Sequence, residues 1–446
     1  MTASREAQPS AVPATAQQDG DDLGRWLWAE LSVWTLRMLT ALVQGVKGGK
    51  WFRLIDKVWS ERNLRSSYHK VAMNKGAPGV DHVTVEEFER ELDSNVAKLT
   101  KALSEGSYEP QAIRRTFIPK PGSNEQRPLG IPTVRDRVVQ GAVRHVIEPI
   151  FENEFAEHSY GFRPGRGCKD ALRRVDELMK HGYVYVVDAD LKSYFDTIPH
   201  DRLMDRLRER IADGRMLRLI ESFLKAGIMD GLKEWEPEAG APQGAVLSPL
   251  LSNIYLDPLD HLMASRGTEM VRYADDFVIL CRTQAEAEQA LAEVRQWCEA
   301  EGLVLHPTKT HIVDIRTGGM DFLGYHFQTT KKGRLTRWPR KKSLDKFKDT
   351  VRGKTKRANG ESLRVIINGI NVMLVGWFGY FKHSCRPTFA PLDGWIRMRL
   401  RSILRGRMGK RGCGRGIDHQ LWPNEFFASR GLYSLEAAYV RACQPP

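Results

Sequence analysis

Cysteine is scarce in this chain and none of it is paired. Six residues, at 168, 281, 298, 385, 413 and 443, are scattered over 446 positions without one Cys-x-x-Cys. That spacing suggests neither a disulfide framework nor a zinc finger, so the thiols read as reduced and individually buried. Long apolar runs are lacking too. No stretch approaches the roughly 18 to 20 consecutive apolar residues of a membrane span, and no basic start followed by an apolar region opens the chain. A cytoplasmic protein without a membrane partner is expected. Residues 1–20 (MTASREAQPSAVPATAQQDG) have few large apolar groups, a composition that cannot repay the entropy of ordering and reads as a disordered tail.

What is abundant is positive charge. Lys and Arg number 68 against 55 Asp and Glu, giving a net +13 and a pI near 9.4. Such an excess neutralises phosphates and releases their counterions, so nucleic acid is the favoured partner. At 41% hydrophobic content the chain can bury a large core, and its length implies several domains.

Residues 23–46, with Trp26, Trp28 and Trp34, form an amphipathic run that reads as helical. The segment 118–133 (IPKPGSNEQRPLGIPT) reads as a hairpin with a basic, flexible tip. Residues 134–180 read as helical with one Gly-rich interruption, 183–191 (YVYVVDADL) as a buried strand, and 200–226 as helical. Then come the Pro/Gly segment 240–251, a strand-turn-strand at 270–281 (MVRYADDFVILC), a helix at 284–301, and short strands near 311–315 and 322–327. From Arg334 onward basic helical stretches dominate, which predicts a separate helical domain followed by a small basic terminal module.

Two acidic elements carry candidate chemistry. Asp275 and Asp276 fall at the turn between two apolar strands, where like charges would raise each other's ionisation unless a cation sat between them. Asp188 and Asp190 alternate onto one face of their strand, and either could join that pair. Three carboxylates without histidine or cysteine make a hard, oxygen-only donor set suited to Mg²⁺. Such a set can serve in-line displacement at phosphorus, but it occurs in nucleases and phosphatases as well as polymerases.

YADD at 273–276 resembles the active-site signature of reverse transcriptases. NKGAPGVD, IPKPGSNEQRPLGIPTVRDRVVQ, SYGFRPGRGC, DADLKSYFDTIPH, GAPQGAVLSPLLSNIYL, GLVLHPTKT and DFLGYHF, in order over 63–330, are similar to the fingers and palm blocks of bacterial group II intron reverse transcriptases. GWFGYFKHS (376–384) resembles that family's maturase or thumb domain, and LWPNEFFASRGLYSLEAA (421–438) its basic C-terminal region. The chain stops at Pro446 without the endonuclease module of some members, so second-strand cleavage is not expected.

The resemblance implies an α+β right-hand polymerase, with fingers and an antiparallel palm sheet followed by a helical thumb. The domains would be 1–62 (tail and helical extension), 63–330 (fingers and palm), 331–404 (thumb/maturase) and 405–446 (basic nucleic-acid-binding region). It implies RNA-directed DNA polymerisation with two Mg²⁺ ions, or Mn²⁺, held by Asp190, Asp275 and Asp276, together with splicing assistance and retrohoming. The matching positions are Lys120 and Arg127 for the incoming triphosphate, Phe195 as the ring excluding a ribose 2′-hydroxyl, and Gln243 with Gly244 near the nascent base pair and template. Lys309 would protonate departing pyrophosphate, and Arg163 and Arg166 would steady template phosphates. Partners would be the RNA template, intron RNA, a DNA primer or target and dNTPs, with the protein a monomer or dimer. Two other readings are a non-catalytic RNA-binding maturase and a domesticated reverse transcriptase of phage defence or CRISPR.

Overall fold

The computed structural model describes residues 21–119, 126–231, 233–358, 360–412, 414 and 416–444. The expected disordered tail and the expected hairpin tip, including Lys120, lie outside the described residues. The chain divides into two units, one of Met1–Val175 with Val187–His311, the other of Asp176–Val186 with Ile312–Pro446.

The strands among the described residues are β1 (Ile113–Pro119), β2 (Gln126–Ile131), β3 (Tyr185–Asp190), β4 (Ile228–Asp230), β5 (Lys233–Trp235), β6 (Glu269–Tyr273), β7 (Asp276–Cys281), β8 (His311–Asp314), β9 (Met320–Phe322), β10 (Tyr325–Thr329) and β11 (Leu335–Pro339). They form three sheets, ordered β2-β1-β4-β5, β6-β7-β3-β8 and β11-β10-β9.

In the first unit β1 and β2 make the expected hairpin, with Ile118 opposite Arg127, and β4–β5 extends that sheet through a parallel pairing with β1. The helix Val134–Glu152 runs through the core and is buried over most of its length. The Thr133 hydroxyl caps it by accepting from Asp136 N at 3.1 Å. Helix Glu61–Met73 lies against it so closely that a Cβ on Gly141 would stand 2.2 Å from Ser67 Oγ. Ser67 instead donates to Val138 O at 2.7 Å. The hairpin β6–β7 pairs Tyr273 with Asp276. Apart from Asp276, all of β7 is buried; helix Gln284–Ala300 packs on it and helix Ser248–Ser265 on β6.

The N-terminal extension departs from the expected continuous helix over 23–46. A short 3-10 helix, Asp21–Trp26, and an α-helix, Leu36–Gln44, flank a turn region. Trp26 and Trp34 are both buried, and Trp34 Nε1 donates to His145 O at 2.9 Å. Docking two indoles bends the chain, and Thr35 restarts the helix by accepting from Met38 N at 3.3 Å.

The second unit begins earlier than position 330, because β9–β11 pair with one another and the Tyr325 ring packs at a tilt against Phe381, ring centres 5.0 Å apart. Helices Lys341–Lys354, Leu363–Phe381, Phe389–Arg407 and Leu435–Cys443 share one apolar cluster that includes Phe347, Ile370, Leu374, Phe389, Leu400 and Leu435. Residues 417–443 therefore belong to the helical core and not to a separate basic module. Asp393 ties them in, accepting from Leu435 N at 2.9 Å and Ser434 Oγ at 2.7 Å. Leu363–Phe381 is, contrary to the sequence expectation, long and apolar enough to cross a membrane by length and composition alone. Its Ile366, Ile367, Ile370, Leu374 and Phe378 form part of that cluster.

Candidate active site

The three candidate aspartates are delivered by two adjacent strands. On β3, Val186, Val187 and Ala189 are buried, while Asp188 and Asp190 share the more open face. Asp190 ends the strand where His306 N donates to its carbonyl at 2.7 Å, which brings the HPTKT segment alongside. Asp275 occupies the two-residue β6–β7 turn, and Asp276 begins β7. Ala274, the first turn residue, sits at φ 61°, a left-handed conformation that a non-glycine residue adopts only when its surroundings impose it.

Those surroundings are a buried ionic network that sequence reasoning missed. Arg272 is fully buried, its Nε donating to Asp260 Oδ1 and Oδ2 at 2.8 and 3.0 Å. Its Nη1 donates to Asn253 Oδ1 and to the Ala274 carbonyl, each at 2.9 Å. Asn253 Nδ2 in turn donates to Gly161 O at 2.8 Å. Gly161 packs on the turn from the other side, where a Cβ would stand 2.1 Å from Ala274 N. Burial alone would depress the Arg272 guanidinium, and the Asp260 carboxylate more than offsets it. The only legible signal was an arginine directly after the apolar pair Met270 and Val271.

Burial raises the Asp275 carboxyl above the usual carboxylate range. Its own backbone N–H pulls it down, the Asp190 charge pushes it up again, and Arg127 and Arg272 lower it. Asp190 Oδ2 accepts from Lys309 Nζ at 2.9 Å, so an ammonium neutralises one member of the set. Among the described residues no three His, Cys, Asp or Glu side chains are gathered as a ready metal cage. The donors nevertheless fit a divalent ion: they are carboxylate oxygens only, Asp275 and Asp190 feel each other's charge, and a cationic group already rests on Asp190.

The remaining expected residues fall in two groups. Phe195 lies in the helical turn Tyr194–Thr197, entered through Ser193 at φ 51°. Its ring meets exposed Phe162 edge-on, centres 6.5 Å apart, and its carbonyl accepts from Ala241 N at 2.7 Å. Gly130 N donates to Gln243 O at 2.6 Å, which ties the Pro-Gln-Gly segment to β2. Gly244, at φ 107°, approaches so closely that a Cβ would lie 2.5 Å from Gly130 O. Arg127 is exposed near the start of β2.

Arg163 is a correction. Its guanidinium is buried and saturated, Nε and Nη2 on Glu152, Nη1 on Ala156 O and Ser159 O at 2.6 and 2.8 Å. It pins the chain leading to Gly161 and has no donor left for a template phosphate. Arg166, half-buried over Tyr160, donates to Glu157 O and braces the same segment. Tyr273 of YADD is hydrogen-bonded to Cys168, and that bond, with burial, pushes its phenol up to about 12.

Carboxylates from two adjacent strands, with Phe195 and the Gly244 turn nearby, fit a polymerase of α+β right-hand type. Residues 118–327 match the reverse transcriptase (RNA-dependent DNA polymerase) family, and residues 344–422 the maturase-specific domain of group II introns. The chain belongs to the group II intron-encoded reverse transcriptase/maturase family.

Protein YkfC of Escherichia coli (strain K12) is 37% identical over 315 residues, 61% of this chain and 82% of that protein. The group II intron-encoded protein LtrA of Lactococcus lactis subsp. cremoris is 40% identical over 196 residues, 44% of this chain. The matched region spans only 32% of the length of LtrA. A chain in the solved Cas6-RT-Cas1–Cas2 complex shows 26% identity over 56% of this chain and 43% of its own, with a TM-score of 0.37.

Proposed function

We propose that this protein extends a primer 3′-hydroxyl with deoxynucleotides on an RNA template, using Asp190, Asp275 and Asp276 to hold two Mg²⁺ ions. The observation that carries the reading is the convergence of two adjacent strands: half-buried Asp275 in the β6–β7 turn feels the charge of Asp190 on β3, and Arg272 holds the carbonyl of the preceding Ala274 at 2.9 Å. When bound, divalent ions would supply the positive charge that lowers the barrier for in-line displacement at phosphorus.

The chain's own groups do the rest. The charge of Arg127 reaches Asp275, and its fork would take the triphosphate, as Lys120 of the same sequence segment would. Phe195 would close against the sugar, where a rigid ring penalises a 2′-oxygen. Gln243 and Gly244 would lie along the nascent base pair. Lys309, held on Asp190, would hand a proton to departing pyrophosphate. The basic second unit would hold intron RNA by shape and charge, assisting splicing and insertion.

Primer extension on an RNA template with Mg²⁺ and dNTPs tests this, comparing wild type with Asp275→Asn/Asp276→Asn while template binding is followed separately. Synthesis should vanish in the variant and binding persist. A wild-type protein that binds RNA and never extends would instead establish a non-catalytic maturase.

A further inference from the structure

Phe162 holds a backbone conformation that its side chain disfavours. Its φ is 59°, a left-handed value that is uncommon for any residue but glycine and costly for a bulky one. Its ring is 42% exposed, so burial returns little to offset that cost. Such strain persists only where the surrounding structure over-determines the residue, and it concentrates at functional sites.

The chain on either side imposes the conformation. Upstream, Tyr160 N donates to Arg272 O at 2.9 Å and Arg272 N to His158 O at 3.0 Å, which lays 158–160 along β6. Gly161 O accepts from Asn253 Nδ2 at 2.8 Å, and its Cα lies against the turn that carries Asp275. Downstream, Arg163 is ion-paired to buried Glu152 and donates back to Ser159 O at 2.8 Å. Phe162 sits between these two anchors and cannot relax without moving one of them.

The ring held out in this way meets Phe195, centres 6.5 Å apart and planes at 72°. Half-buried Phe195 also meets Tyr194 edge-on at 5.5 Å, and buried Tyr194 is fixed by donating its hydroxyl proton to Ser252 O at 2.7 Å. Phe195 therefore has one aromatic neighbour rooted in the core and one at the surface. A ring that excludes a single oxygen by contact does so only while it is held still.

We propose that Phe162 is a positioning residue for sugar selection: it buttresses Phe195 in the orientation that excludes a ribose 2′-hydroxyl. The strained backbone is what brings its ring there. This rests on the reading of Phe195 as the sugar gate, through which Phe162 acts.

Single-nucleotide extension of a primer on an RNA template tests this, with kcat/KM measured separately for a dNTP and the matching rNTP. Glycine accepts a φ of 59° without strain, so Phe162→Gly removes the ring and keeps the backbone. Loss of one edge-on ring contact should raise rNTP use relative to dNTP by about three- to tenfold. Phe162→Tyr keeps the ring edge and should select like wild type. Phe195→Ala should relax selection by itself, and adding Phe162→Gly to it should change nothing more. Unchanged selection in Phe162→Gly beside a relaxed Phe195→Ala, an equal loss in Phe162→Tyr, or additive effects in the double variant would each overturn the proposal and leave the gate standing. Unchanged selection in Phe195→Ala, or a wild type that never extends, would overturn the gate reading and the proposal with it.

Discussion

Removing the Arg272 side chain should separate the stability of the first unit from the geometry of its turn. Arg272→Met leaves Asp260, whose side chain is 4% exposed, as a buried charge without its cation. Breaking one partner of such a pair costs about 3 to 5 kcal/mol, a large part of the roughly 5 to 15 kcal/mol that holds a domain together. At about 2 to 4 °C per kcal/mol for a domain of this size, the thermal midpoint should fall by roughly 6 to 20 °C in a circular-dichroism melt.

The double variant Arg272→Met/Asp260→Leu removes both charges and should recover most of that loss, because apolar replacement of a whole buried pair is close to neutral. Its polymerase activity should not recover. The Ala274 carbonyl still lacks the donor that now lies at 2.9 Å, and the turn carrying Asp275 is free to relax. Loss of one such bond predicts at least about tenfold slower extension at saturating dNTP. A double variant that is both stable and fully active would refute the assignment of Arg272 as the residue that positions the turn.

Two other outcomes follow from the geometry. Gly161→Ala sets a methyl 2.1 Å from Ala274 N, against backbone that cannot swing away, so extension should fall sharply while template binding, followed by anisotropy, stays intact. His145 is held down to about 4 by burial first and by Lys70 next, with Arg144 adding to it, against the opposing pull of Glu30. A histidine lowered in the folded state favours its neutral form. Its contribution is therefore complete above pH about 6.5 and is lost as pH falls toward 4, and urea midpoints between pH 7 and 5 should drop more in wild type than in His145→Gln.

The local chemistry of the site was legible because it is local. Asp275 and Asp276 sit in a turn bounded by apolar runs, Asp188 and Asp190 alternate on a strand, and the hairpin expected at 118–133 is announced by its Gly and Pro residues. The choice of Asp190 over Asp188 came from family resemblance, since strand periodicity places both on the same face.

Long-range pairing decided what remained. Arg163 was expected to steady template phosphates, yet Glu152, eleven residues upstream, takes it into the interior. The three tryptophans of the N-terminal extension suggested one helix, but docking Trp26 and Trp34 bends the chain between them. The basic C-terminal stretch suggested a module of its own, yet Phe427 and Leu435 complete the thumb core. Sequence alone determined which residues could do phosphorus chemistry, because composition and short-range period set strand faces and turns. Which arginines hold the site and which face solvent was decided only by the tertiary structure, because a buried charge is tolerable only where folding brings its partner within bonding distance.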